Sequence, residues 1–197
     1  MIGNETKVIN YNMIELSSKL GLSERFFLTR ENGERAYPLL REQFEQLPKS
    51  EGLILNFPQN QLIDSSFADE TIVRLGEEVI NGEFKDKAFL LQGLTEDSIT
   101  NIESIISLRS LKLAFLAIES MREWRCIGHL DPTLKDTLEL LAKSDSLTAP
   151  ELAKLHNLAI NNASNRLKRL YDRGLIRREY EVSDKGLQYI YYFWEWA

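Results

Sequence analysis

Three short apolar runs constrain this chain more than any other feature: GLILNF (52–57), KAFLLQG (87–93) and LAFLAI (113–118). A strand wetted on one side alternates apolar with polar residues, whereas unbroken runs of this length belong to strands that are covered. Helical periodicity fills the intervals. One helix is expected from about Ser66 to Ile80, stopped by Asn81-Gly82. Another is expected over TEDSITNIESIISLRS (95–110), with Ile99, Ile102, Ile105 and Ile106 facing inward. Strands alternating with helices of this length require crossover connections, so the front of the chain reads as α/β, with a mostly parallel sheet covered by helices. WRCIGHL (124–130) could add an edge strand. Upstream, RFFLTR (25–30) before the turn signal ENG reads as a strand. Ala36, Leu39, Leu40, Phe44 and Leu47 then repeat at helical spacing, with Pro38 tolerable only near that helix's start. The first 24 residues read as a polar arm with one short helical pattern that ends at Gly21.

After Asp131-Pro132 no long apolar strand follows, which places a boundary there. The expected organisation is an N-terminal arm at 1–24, an α/β domain at 25–130 and a mainly α domain at 132–197. In the last of these, Leu134, Leu138, Leu140 and Leu141 mark one helix, Thr148 to His156 a second and Asn161 to Arg173 a third. Thr148 and Glu151 have capping-box spacing. Asn157 suits the left-handed conformation of a tight interhelical turn, and Gly174 the end of the third helix. The closing segment LQYIYYFWEW reads as a last helix, apolar on every side and therefore in need of a cover. The sequence prefers the winged-helix core together with a second copy of the chain as that cover and leaves packing on the front domain as the alternative.

Charge separates the two halves. Residues 1–131 hold 14 Lys/Arg against 21 Asp/Glu, whereas the window 160–178 holds six basic residues against one acid, Asp172. A net charge of −6 argues against a polyanionic partner for the whole chain, but not for this window. On the third helix Ala163, Leu167, Leu170 and Tyr171 share an inward face, which turns Asn161, Asn162, Asn165, Lys168, Arg169 and Asp172 to solvent. Asparagine bonds adenine bidentately in the major groove and Lys/Arg neutralise phosphates, so this face fits a recognition helix for DNA. Arg166, Arg173, Arg177 and Arg178 would extend the phosphate contacts. The bland reading is a charged, solvated helix face in a protein-docking module.

LTAPELAKLHNLAINNASNRLKRLYDRGLIRREYEVSDKG resembles the winged helix-turn-helix domain of bacterial transcription regulators. The resemblance lies in the T-x-x-E-L-A start, SNRLKRL at 164–170, G-L-I at 174–176 and an S-D-K-G opening a last helix. It implies DNA binding as a homodimer. Only eight residues, Leu175 to Val182, separate Gly174 from Ser183, so a minor-groove contact by the wing is not expected.

The front domain resembles a STAS fold, and more closely a STAS-like family with an S-F-A-D-E signature, here Ser66 to Glu70 after GLILNF. In the related anti-sigma-factor antagonists a D-S-S-G run at this helix start is phosphorylated by a partner kinase. Here Asp64, Ser65 and Ser66 align with D-S-S and Phe67 replaces the glycine. The resemblance makes Ser65 and Ser66 candidate phosphorylation positions and an ATP-binding kinase-like regulator a candidate partner. The chemistry of the residues offers a plainer role, with Ser66 and Asp69 capping the helix.

Two functions follow: a DNA-binding transcription regulator with a STAS-like sensory or docking domain, or a non-enzymatic protein-interaction switch of the antagonist type controlled by serine phosphorylation. A catalytic site is not expected, since no nucleophile elbow or Gly-rich phosphate loop occurs. Cofactors and metals are not expected either, because a single Cys126 with His129 and His156 cannot build a structural zinc site. No membrane role is expected, since no run approaches the ~18 apolar residues of a span, and the cytoplasm is the expected compartment.

Overall fold

The computed structural model describes residues 8–21, 27–58, 60–121, 123–183 and 186–196. A five-stranded sheet carries the front of the chain, in the order β1 (Val8–Asn12), β2 (Gly52–Asn56), β3 (Ala88–Gln92), β4 (Ala114–Ile118), β5 (Trp124–Gly128). β1 to β4 are parallel and β5 closes the edge antiparallel to β4. The apolar runs are therefore the three interior strands, with β3 at the centre between β2 and β4. The connections are α1 (Met13–Lys19) and α2 (Arg30–Gln46), then α3 (Ser65–Ala68), a π turn (Asp69–Val73) and α4 (Arg74–Ile80), then α5 (Glu96–Leu108).

Strand order decides the layering. Because each strand lies next to the one before it, crossovers of the usual right hand put all connecting helices on one side. That side holds Leu53, Leu55, Phe89, Leu91, Phe115 and Ala117 with the apolar faces of the connecting helices. The alternate residues, Ile54, Ala88, Leu90, Ala114, Leu116 and Ile118, point the other way and are just as buried. Their cover is the second half of the chain: α6 (Pro132–Leu141), α7 (Ala149–His156) and α8 (Ile160–Tyr171), with a small sheet ordered β6 (Leu147–Thr148), β8 (Gly186–Tyr192), β7 (Arg177–Ser183). Leu134, Leu138, Leu167, Leu170, Ile176 and Trp194 join the sheet residues in one cluster.

Several expectations need correction. The arm at 1–24 is partly structural: β1 pairs with β2 along its length, and Met13 and Leu16 of α1 are fully buried. RFFLTR is not a strand over its described part. The sheet edge is already taken by β1, and Phe27 turns into the core, edge-on to Phe57 and Phe67 at 5.3 and 5.6 Å. α2 starts earlier than its apolar pattern, at a Thr29 cap, which leaves Pro38 well inside the helix at the loss of one backbone bond. LQYIYYFWEW is a strand and a tail. Its aromatic and β-branched residues pair across a hairpin, with Tyr180 opposite Tyr189 and Val182 opposite Leu187. Strand residues up to Tyr192 thus supply the half of the wing that seemed to be missing. Part of the tail is covered by the chain's own sheet: Trp194 lies in the shared core, and Trp196 Nε1 donates to the Ser120 carbonyl at 3.1 Å.

The stretch at the start of α3 is also corrected. Asp64, not Ser66, is the cap: one of its carboxylate oxygens accepts from Phe67 N at 2.7 Å and the other from Thr29 N at 2.8 Å. Thr29 is held at φ 75°, a region costly for a β-branched residue, so Asp64 steadies the starts of α2 and α3 together. Ser65 instead donates to Asn101 Oδ1 at 3.3 Å. Phe67 is fully buried and crowds no outer surface. Where the π turn widens the helix, Gly33 of α2 closes against it, and a Cβ there would meet Glu70 Cβ at 2.8 Å.

Two substitutions check these assignments by urea unfolding. Asp64→Ala should cost about 1–2 kcal/mol or more, while Ser66→Ala stays within about 0.5 kcal/mol. Leu90→Ala, in the core shared by the two halves, should cost about 2–5 kcal/mol in a single transition seen alike by far-ultraviolet signal and tryptophan emission.

Candidate nucleic-acid interface

α7, a tight turn, α8 and the β7–β8 hairpin form a winged helix-turn-helix. The start of α7 is a reciprocal capping box: Thr148 N donates to Glu151 at 2.8 Å, and Glu151 N donates to Thr148 Oγ1 at 3.4 Å. Asn157 turns the chain at φ 51° and ψ 51°, and Leu158 N returns to the Ala153 carbonyl at 2.8 Å. α8 then buries Ala163, Leu167 and Leu170. Gly174, at φ 70°, ends the helix where it meets the sheet, and a Cβ there would lie 3.3 Å from Ala88 Cβ. The positive φ favours glycine, and the close approach leaves little room for a side chain.

The nine positions assigned to DNA from the sequence fall into separate groups. Asn161, Asn162 and Asn165 are exposed on the first half of α8, which has no side-chain cap, and Arg166 beside them is partly buried. Further along, exposed Arg169 is ion-paired with Asp131, which precedes α6, and Lys168 with Asp172 one turn on. The Arg169 hydrogen bond holds the Asp131 carboxyl below the usual carboxylate range.

The remaining three arginines turn inward. Arg173 Nη1 donates to the Arg169 carbonyl at 3.0 Å, and burial, then repulsion from Arg169, pushes its guanidinium below the usual value. Arg177 pairs with Glu179 at 2.8 Å and stacks 4.2 Å over Tyr192, with 12% of its side chain exposed. Arg178 lies between Tyr171 at 3.9 Å and Tyr189 at 4.3 Å. Arg177 and Arg178 thus take part in packing through the rings they stack on. The wing itself carries Glu179 and Glu181 and exposes Tyr180, Val182 and Leu187, with no basic side chain among the described residues from 179 to 188.

Two positions were overlooked in the sequence: Lys154, exposed in the last turn of α7, and Ile160, 58% exposed at the start of α8 beside the asparagines. An apolar side chain there is of the kind that meets a thymine methyl group. The signal for Ile160 was its place off the buried stripe, on the rim next to Asn161.

Residues 130–185 match the model of the MarR family, DNA-binding transcription regulators with a winged helix-turn-helix. The match begins just before α6 and runs through the helix-turn-helix to the tip of the wing, less than a third of the chain. No curated protein matches the chain.

The Asp131–Arg169 pair offers a test. Asp131→Asn should free the guanidinium and tighten binding to duplex DNA several-fold at low salt, by fluorescence anisotropy, while the urea midpoint moves little because the pair is exposed. The carboxyl titrates below its ordinary value, so in the native protein the pair persists at neutral pH and is lost only as pH falls through the acid range.

Proposed function

We propose that this chain is a DNA-binding transcription regulator in which α8 enters the major groove while the α/β part, residues 25–130 with β1 and α1, acts as a sensory or docking module. The supporting observation is the exposed, uncapped first half of α8. Asn161, Asn162 and Asn165 stand there on a helix whose opposite face is locked into the core. Asn161 and Asn165, one turn apart, face the same way and are suited to adenine. Arg166, Arg169 and Lys154 flank them for phosphate contact, whereas Arg173, Arg177 and Arg178 support the helix from behind. The acidic wing stays off the minor groove.

The order of elements in the α/β part and Ser66–Glu70 at the start of its π-containing helix support a STAS-like reading of this module. Phosphorylation of Ser65 or Ser66 would place charge beside Asn101 and at a helix start, where the dipole tolerates it. Action as a homodimer on a two-fold operator is part of the proposal.

Anisotropy titrations across a series of salt concentrations test the reading. Binding to duplex DNA should weaken linearly in log–log form, with a slope set by the few phosphates engaged. Arg169→Ala should lower affinity for all sequences and reduce that slope by about 1. Asn161→Ala or Asn165→Ala should relax preference at one base pair by roughly 1–3 kcal/mol. Salt-insensitive binding, or three variants indistinguishable from the native chain on a selected site, would reject α8 as the recognition helix.

A further inference from the structure

The wing is made for something other than a phosphate backbone. A hairpin that meets nucleic acid carries Lys or Arg, whereas the described residues from 179 to 188 hold Glu179 and Glu181 and no basic side chain. Register sorts the hairpin into two faces, since residues opposite each other across a ladder project to the same side. Tyr180 opposite Tyr189 and Val182 opposite Leu187 make one face; Glu179 opposite Ile190 and Glu181 opposite Gln188 make the other. The first face is covered at its base, where Arg178 is stacked between Tyr171 and Tyr189 and Tyr191 is buried. Beyond the base it runs into solvent, with Tyr180 69% exposed, Val182 74% and Leu187 59%. Large apolar side chains gathered on one face, and not scattered singly, are what a contact surface exposes.

β7 also has a free side. In the small sheet, ordered β6, β8, β7, it pairs with β8 alone, and among the described residues no backbone group outside the hairpin bonds to it. Every second residue of such an edge turns its N–H and C=O outward, so β7 offers a row of donors and acceptors to a further strand. Edges that stay unpaired are commonly blunted by proline, lysine or a bulge, and Arg177 to Ser183 runs in unbroken register with none of these.

The charges decide which strand can come. A second copy of β7, laid antiparallel about Tyr180 so that its whole length pairs, would set Glu179 against Glu181 of that copy, and like charges directly opposite are destabilising. Glu179 has a cation in Arg177 at 2.8 Å, and that guanidinium is also stacked on Tyr192. Glu181 is exposed and has no basic partner among the described residues. The two carboxylates therefore oppose self-pairing and nucleic acid alike, and favour a strand that brings positive charge.

We propose that the outer edge of β7 takes up an extended segment of another protein in which apolar residues alternate with Lys or Arg. Backbone bonds to β7 supply affinity and the alternation supplies selection: at period two, one set of side chains lies beside Tyr180 and Val182 while the other lies beside Glu179 and Glu181. β8 is anchored through Tyr191 in the shared core and through β6 to the start of α7, so a docked segment is held in fixed relation to the helix-turn-helix. The wing is thus a protein-docking edge, whether or not α8 reads DNA.

The test uses the full chain labelled with ¹⁵N and, as probe, a peptide that alternates lysine with valine over the length of β7. Saturable amide shifts are expected at Arg178, Tyr180 and Val182, with slower hydrogen exchange at the β7 amides that β8 leaves free. Control peptides separate the contributions: glutamate for lysine removes the charge match, serine for valine the apolar match, and lysines and valines grouped in two blocks the alternation. Each should bind at least about fivefold more weakly. Glu181→Lys, at an exposed position, should shift the preference from the lysine toward the glutamate peptide by about fivefold or more while the urea midpoint stays in place. The proposal is overturned if no saturable shift occurs at β7, if any control peptide binds as tightly as the alternating one, or if Glu181→Lys leaves the preference unchanged. It is overturned as well if the β7 amides shift with protein concentration in the absence of peptide, which makes a second copy the occupant, or if duplex DNA shifts them together with Asn161 and Asn165, which makes the wing a groove contact. Shifts confined to Asn161 and Asn165 on adding DNA report the recognition helix separately, so failure of either reading leaves the other legible.

Discussion

The need to cover the second face of a parallel sheet governs this molecule. With β1 to β4 laid down in sequence order, the connecting helices gather on one side and leave Ile54, Leu90, Leu116 and Ile118 without a partner from their own region. Each such side chain is worth about 1.5–3 kcal/mol when taken out of water. The winged region supplies what is missing, with α6, the end of α8 and the C-terminal tail packed where a doubly wound fold would place its second layer of helices. The helix-turn-helix is thus built into the core of the protein and does not hang from a linker.

This arrangement divides α8. Its second half ends at Gly174 against Ala88, and the arginines that follow are drawn into contact with Tyr171, Tyr189 and Tyr192. Its first half leads away from the sheet and keeps its polar residues in water. A guanidinium stacked on rings and largely desolvated is worth more to packing than as a contact for a distant phosphate. The consequence is a small, exposed, asparagine-rich surface together with a cationic junction behind it, where the two halves of the chain meet.

Asp64 plays a similar organising part in the α/β region. A single carboxylate accepts from the starts of two helices and offsets the strain at Thr29, which lets α2 run close beside the π turn at Gly33. Asp69 and Glu70 on that turn pair with Arg30, and Asp69 also with Arg109, so the S-F-A-D-E stretch is tied to α2 and α5 by charge as well as by Phe67. Such exposed pairs contribute modestly to stability and serve mainly to set geometry.

Much was legible in the residues themselves because the signals were local. Unbroken apolar runs named β2, β3 and β4, the Thr148–Glu151 capping box and Asn157 named the turn before α8, and Gly174 named its end. Each rests on backbone chemistry within a few residues. What tertiary structure decided was everything that depends on a partner far along the chain. Tyr189 to Tyr192 form a strand because β7 and β6 are there to pair with them, although their apolar pattern fits a buried helix equally well. RFFLTR loses its place in the sheet because β1 occupies the edge. Arg173, Arg177 and Arg178 look from sequence like free cations, and only the packing of α8 against the sheet turns them inward. Periodicity reports which side of an element is apolar; it carries no information about which surface will come to lie against that side.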